Sequence, residues 1–310
     1  MTAPHPLAVL AGAALDAAFY DPPNAVHPIA AIGPLTRRLE RHAPAEPAAR
    51  RHYGLVVATV LPVAAAAAAA AIERAPRSSI VRASVGVALF ALTTSRRTLF
   101  ERVAEVERAL EAEELDAARA LLARHLVSRD TSTLDEAGVA AAAIESLAEN
   151  LSDGVVAPLV AFATGGPPLA WAYRTSNTLD ALWGYRDERY ADLGRAAARI
   201  DDAWNLVPAR FTALAICVAA GITDRRGRAA LLAWRRDRGL TESPNAGHPM
   251  AAMAGALGVE LAKEGHYRLG GGGRRPGASD IAQARRIAAV AVNLIVAAYL
   301  VNAGYRWCRR

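Results

Sequence analysis

Three polar stretches carry the residues that could do chemistry, each mixing carboxylates with arginines and amides. The first spans 127–153. Within it Ser132 with Asp135, or Thr133 with Glu136, has the spacing of a capping box opening a helix toward Asn150. A helix N-terminus beside Arg129 is also an anion site, able to hold phosphate on backbone N–H groups. Further along, Glu145, Glu149 and Asp153 recur at i+4 and share one face if helicity lasts. Stacked acids without basic partners repel. They are either a solvated face or oxygen ligands for a divalent cation.

The second stretch, 173–205, begins Tyr173-Arg-Thr-Ser-Asn-Thr-Leu-Asp180. Asn177 and Asp180 lie one turn apart, which aims an amide and a carboxylate at one ligand. Arg174, Arg186 and Arg189 suit bidentate recognition of phosphate or carboxylate. Tyr173, Trp183, Tyr185 and Tyr190 read as the wall of a broad pocket or as an interfacial aromatic belt. Asp201, Asp202 and Asn205 then precede an apolar run that contains Arg210. Acids there complement a helix dipole, or, desolvated beside a membrane, require a metal or arginine partner. A third stretch, 243–250, holds Ser243, Asn245 and His248, and the histidine reads as a loop residue rather than a base. Gly270–Gly273 lacks the Lys-Ser/Thr of a P-loop, and Cys217 and Cys308 form no metal-ligand spacing or disulfide framework.

Apolar segments separate these blocks. The clearest is Tyr53 to Ile72, twenty residues without a charge, about 30 Å as a helix and so one hydrocarbon thickness. Others are 80–95, 155–172, 206–222 and 287–305, with a short one from Leu7 to Phe19. The 155–172 segment carries Pro158 and the run Gly165-Gly-Pro-Pro168, which suits a broken or re-entrant helix. Charged amphipathic helices are expected around Glu101–Glu114 and Asp116–Leu126, and loops over 239–250 and 265–280. Hydrophobic residues make up 53% of the 310 and aromatics only 6%, which favours helices over a β-sandwich or barrel. These features predict an all-α, polytopic helical membrane protein, one domain over 1–310, with a site at the membrane face built from polar loops.

The formal charge is +6, but the basic residues are spread along the chain and offset by 30 acids, unlike a phosphate-tracking stripe. Nucleic acid is therefore not an expected partner. All but one of the 36 basic residues are arginine, Lys263 being the exception. Arg37, Arg38, Arg41, Arg50 and Arg51 precede the 53–72 segment and place that side in the cytoplasm. Met1 to Tyr20 has no basic stretch and is interrupted by Asp16, so a cleaved signal peptide is not expected.

In order along the chain, Asp21-Pro22, His27-Pro28, Ser128-Arg-Asp-Thr-Ser132, Ala148-Glu-Asn150, Asp153-Gly154 and Ala157-Pro158 are followed by Asn177-Thr-Leu-Asp180, Gly184-Tyr185 and Glu188-Arg-Tyr190. Asp201-Asp202, Asn205, Pro208-Ala-Arg210, Ser243-Pro-Asn-Ala246 and Gly255-Ala-Leu-Gly258 complete the set. Over nearly the whole chain this pattern resembles the CobD/CbiB membrane enzymes of cobalamin biosynthesis, the adenosylcobinamide-phosphate synthases. Tyr20 stands where the family often has glycine, and Arg174 and Arg186 where some members carry lysine. An anion-binding role survives that exchange.

The resemblance implies an acid–amine ligase using ATP and Mg²⁺ in the cell membrane, multi-pass, with its active site facing the cytoplasm. It would join adenosylcobyric acid, a corrinoid, to (R)-1-amino-2-propanol or its O-phosphate. Asp130, Glu149, Asp153, Asp180, Asp201 and Asp202 form the expected pool of catalytic carboxylates, with Glu149, Asp153, Asp180 and Asp202 as the metal candidates. Arg129, Arg174, Arg186, Arg189 and Arg210 are the expected clamps for phosphate and carboxylate. Ser132, Asn150, Asn177, Tyr185, Asn205, Ser243 and Asn245 would contact substrate. Membrane lipid is the implied surroundings; a homo-oligomer, or docking with other cobalamin-assembly enzymes, stays open. A membrane regulator on the same scaffold would lack the polar blocks, and a transporter would concentrate them at a broken-helix midplane site.

Overall fold

The computed structural model describes residues 6–18, 22–23, 26–185 and 187–308, with the side chains of Pro6 and of 303–308 outside the description. Asp21, Tyr20 and Arg186 therefore lie outside the described residues. Among the described residues the regular structure is helical apart from one small hairpin. In order, α1 covers Pro6–Ala18, a 3₁₀ turn Pro28–Ala31, α2 Ile32–Arg41, α3 Pro47–Arg74, α4 Ser79–Ala91, α5 Arg96–Glu111 and α6 Leu115–His125. Then come α7 Glu136–Leu151, a π-turn Ser152–Val156, α8 Ala157–Trp183, α9 Arg195–Asp224, α10 Gly227–Asp237 and α11 Gly247–Leu257. Strands β1 Leu261–Lys263 and β2 Tyr267–Leu269 pair antiparallel before α12, Ala278–Cys308.

Four stretches are long and apolar enough to cross a membrane: Pro47–Arg74, Glu136–Trp183, Arg195–Asp224 and Ala278–Asn302. With so little strand, the protein is an all-α polytopic membrane protein. The 80–95 segment is a correction: α4 has 13 residues, about 20 Å, too short to cross a hydrocarbon core alone. The 155–172 segment is broken as its glycines and prolines require. Gly166 sits at φ 69°, ψ −163°, outside helical space and open to glycine alone, with Pro167 and Pro168 restarting the helix.

Other expectations change in detail. Asp135 itself caps α7 and accepts from the Gly138 N–H at 2.9 Å, so neither proposed capping box forms. The π-turn adds a residue per turn after Leu151 and takes Asp153 out of the i+4 register of Glu145 and Glu149. The polar blocks are mostly helical rather than looped. Residues 136–151, 173–183 and 195–205 all lie in helices, leaving 184–194 as the loop. Most of 258–269 folds as the hairpin, which the loop reading of 265–280 overlooked.

The chain packs as two compact units interleaved along the sequence. The first draws on described residues within Met1–Ser95, Ala157–Asn205 and Tyr299–Arg310, the second on Arg96–Val156 and Leu206–Ala298. In the first, α3 lies along α8, with α1, α2 and α4 also against α8. Val57, Ala58, Leu179, Trp183, Leu193 and Ala197 form its core. In the second, α5, α6 and α11 pack on α7, α10 pairs with α11, and the hairpin covers α7 and α11.

Gly54 in α3 faces the Leu193 carbonyl so closely that a Cβ there would collide with it. Gly54→Val is expected to destabilise by about 1–3 kcal/mol through overpacking. A thermal unfolding midpoint of the detergent-solubilised variant equal to wild type would contradict that contact.

Candidate active site

In the first unit, the end of α8 and the start of α9 bring together five of the polar side chains. Arg174 donates to Asn177 Oδ1 at 3.1 Å, and the Asn177 amide donates to Asp201 Oδ1 at 3.2 Å. From the other side the Asn205 amide donates to Asp201 Oδ2 at 3.0 Å, and Tyr173 donates its hydroxyl to Asn205 Oδ1 at 3.0 Å. Tyr173, Asp201 and Asn205 are buried. Helical spacing explains the convergence: Tyr173 and Asn177 are i and i+4 on α8, Asp201 and Asn205 i and i+4 on α9. Both oxygens of a desolvated carboxylate thus accept from amides, the satisfaction that a buried acid requires.

One turn along α9, Arg195, Arg199 and Asp202 share a face at i, i+4 and i+7. With Gly184, Tyr185, Tyr190 and Gly194 they line a cavity of about 390 Å³. The Tyr185 and Tyr190 rings are 6.1 Å apart. Asp180 lies at the loop's root, where the Gly184 N–H donates to its backbone carbonyl at 2.6 Å and a Cβ at Gly184 would strike its carboxylate. Arg189 instead pairs with Glu40 at 2.6 Å on the surface and stacks over Tyr190. Arg51 reaches Asp192 at 2.8 Å, and Arg50 donates to the Arg189 carbonyl at 3.1 Å. These contacts tie the basic N-terminal end of α3 to the loop that walls the cavity.

The second unit holds the other named residues in three places. Arg129 and Glu149 line a small polar cleft together with Ser128, Glu145, Ser146, Lys263 and Tyr267. Arg129 Nη2 lies 3.4 Å from Glu145 Oε2. Burial pushes the Tyr267 phenol above its usual range, and the Glu145 and Glu149 carboxylates push it further. Asn150 donates to the Ser146 carbonyl at 3.0 Å. Asp130 is exposed and accepts from the Ser132 N–H at 2.9 Å and hydroxyl at 3.0 Å, which holds its carboxyl below the ordinary value. Near α11, Arg210 donates to Asn245 Oδ1 at 3.1 Å, and Ser243 Oγ accepts from the Asn245 and Ala246 N–H groups. His248, read from the sequence as a loop residue, lies instead in the first turn of α11, and its Nδ1 accepts from Trp234 Nε1 at 2.9 Å, as a buried neutral imidazole does.

Among the described residues no three His, Cys, Asp or Glu side chains are grouped to hold a metal. Glu149 and Asp153 lie in the second unit and Asp180 and Asp202 in the first. Reading the sequence weighed Glu145 only as one of three stacked acids, solvated or cation-binding, and did not assign Lys263, Tyr267, Arg195 or Arg199 to a site. The signal for Lys263 was its being the only lysine. For Arg195 and Arg199 it was their helical spacing to Asp202.

Long apolar helices with buried polar side chains between them define a polytopic membrane protein with internal polar sites. The CobD/Cbib protein family matches residues 9–295, and the chain belongs to that family. A relative in Geobacter metallireducens, named cobalamin biosynthesis protein CobD, is 42% identical over 258 residues, 82% of this chain and 80% of its own. One of the same name in Dehalococcoides mccartyi is 41% identical over 269 residues, 83% of each chain. Another in Mycobacterium tuberculosis is 38% identical over 285 residues, 89% of this chain and 88% of its own. No solved structure matches the chain.

Asp201→Ala is expected to cost about 2–5 kcal/mol, since it strands the Asn177 and Asn205 amide donors. Thermal unfolding at neutral pH reads this, and an unchanged midpoint would refute the network. For His248, burial first and the Arg210 and Arg238 cations second push the pKa from 6.5 down to about 4. The unfolded chain then takes up a proton below pH 6.5 that the folded chain refuses until about pH 4. Stability should fall as pH drops through that window, and the fall should be shallower in His248→Gln. Equal slopes in the two proteins would count against it.

Proposed function

We propose that the protein acts in cobalamin biosynthesis as an ATP-dependent acid–amine ligase. It joins a propionate carboxylate of adenosylcobyric acid to (R)-1-amino-2-propanol or its O-phosphate, giving adenosylcobinamide or its phosphate. Family membership and the names of the relatives support the pathway. The cavity of the first unit, with two guanidinium groups and a carboxylate on one face of α9, supports the reaction class.

A carboxylate is a poor electrophile and must be activated before an amine can attack it. In phosphoryl transfer the γ-phosphorus gains a bond to a propionate oxygen and loses its bond to ADP. The amine then attacks the acyl carbon, gives up a proton, and inorganic phosphate leaves. Arg195 and Arg199 fit the phosphate groups, because guanidinium forks match phosphate oxygens bidentately. Asp202 lies one turn away, positioned to meet a cation that accompanies the phosphates. Tyr185 and Tyr190 offer apolar faces with polar tips for a large ligand at the mouth.

Mg²⁺ bound with the nucleotide would neutralise phosphate charge. Such an ion commonly takes only one or two protein carboxylates, with phosphate and water completing its shell. Asp202 can supply one, and a dedicated protein cage is not required. ATP places the site on the cytoplasmic side of the cell membrane. The positive-inside rule agrees, because the loop walling the cavity is bound to Arg50 and Arg51.

The test is incubation of the detergent-purified protein with adenosylcobyric acid, ATP, Mg²⁺ and aminopropanol phosphate. A product mass corresponding to the amide is expected, and its absence would favour a regulator or transporter. Asp202→Ala should lower turnover by roughly 100-fold or more while the protein still inserts and elutes as wild type. Wild-type turnover in that variant would remove Asp202 from the chemistry.

A further inference from the structure

The polar cleft of the second unit has a charge pattern of its own. Glu145 is 5% exposed, and its Oε1 is buried without a hydrogen-bond partner among the described residues. The Tyr267 hydroxyl acts on this carboxyl from across the cleft, and the side chain lines the cavity, so a ligand there can supply the donor that Oε1 lacks. Glu149, one turn further along α7, lines the same cleft. Facing them, Lys263 and Tyr267 are directly paired positions of the β1–β2 hairpin, and Arg129 enters from the segment before α7.

Two carboxylates and two cations balance, so a ligand of a single sign would leave one pair uncompensated. A divalent metal fits poorly, because Arg129 and Lys263 would oppose it. An ammonium brings three donors, suited to the open Glu145 oxygen and to Glu149. Arg129 and Lys263 then suit an anionic group at the other end of the molecule. The cavity measures about 190 Å³, roughly the room of six waters, so the ligand is small.

We propose that this cleft binds a small zwitterion, with a primary ammonium on Glu145 and Glu149 and a phosphate on Arg129 and Lys263. In the ligation reading, on which only the identity of the ligand rests, this is the phosphorylated amino alcohol. The second unit thereby selects the amine substrate.

Binding is measured by calorimetry on the full chain in detergent, without ATP or corrinoid, using (R)-1-amino-2-propanol O-phosphate as the probe. Saturable binding is expected, weakened roughly ten-fold or more when either end is removed, as in aminopropanol alone or isopropyl phosphate alone. Glu145→Gln should weaken the complete probe to a similar degree and leave isopropyl phosphate unaffected. Lys263→Met, on the hairpin and away from the helical core, should weaken both phosphate compounds and leave free aminopropanol unaffected. Equal affinity of the variants and wild type for the probe, isopropyl phosphate binding as tightly as the amine phosphate, or no saturable binding would each overturn the assignment. Binding with these dependences but no amide product would sink the ligation reading and leave the cleft standing. Amide formation with an amine KM unmoved by Lys263→Met would do the reverse.

Discussion

A carboxylate placed among apolar helices must find donors for both of its oxygens, and that requirement organises the first unit. Asp201 meets it with Asn177 on one side and Asn205 on the other, and Arg174 and Tyr173 hold those amides in turn. Two of these links, Asn177 to Asp201 and Tyr173 to Asn205, run from α8 to α9, so the network fixes the rotation of the two helices about their axes. That rotation then turns Arg195, Arg199 and Asp202 toward the cavity. Packing alone would constrain such alanine-rich helices weakly, because small side chains interlock little.

The arginine excess follows a related logic. Guanidinium groups keep their charge under desolvation and bind in a planar, directed way, which suits pairing at the ends of membrane helices. Arg51 with Asp192, Arg189 with Glu40 and Arg285 with Glu107 are pairs of this kind. Several arginines that could have clamped a ligand are thus engaged in holding structure. Arg189 is one, tied to Glu40, and Arg210, donating to Asn245, is another.

The spans and the helical class were legible because hydropathy and length act over twenty residues at a time. The break at Gly166 was legible because glycine and proline constrain backbone directly. The π-turn was not, since nothing in Ser152–Val156 marks an extra residue per turn, and it displaced Asp153 from its expected face. The Asp135 cap was misread because Ser132, Thr133 and Asp135 all have capping chemistry, and choosing among them depends on where the chain arrives from Thr131. Asn177, Asp201 and Asn205 were legible as site candidates, but their mutual contacts depend on how α8 meets α9. Lys263 and Tyr267 were not placed in a site because strands of three residues leave almost no periodic trace.

The hairpin has an evolutionary consequence. Its two short strands are joined through Gly265 at φ 73°, and they contribute side chains to a polar cleft while lying outside the four stretches long and apolar enough to cross a membrane. Residues on such an appendage can be exchanged without disturbing membrane insertion, which depends on the long helices. Related chains could diverge in the small molecule they accept by rewriting a handful of codons there, while the hydrophobic framework stays constant.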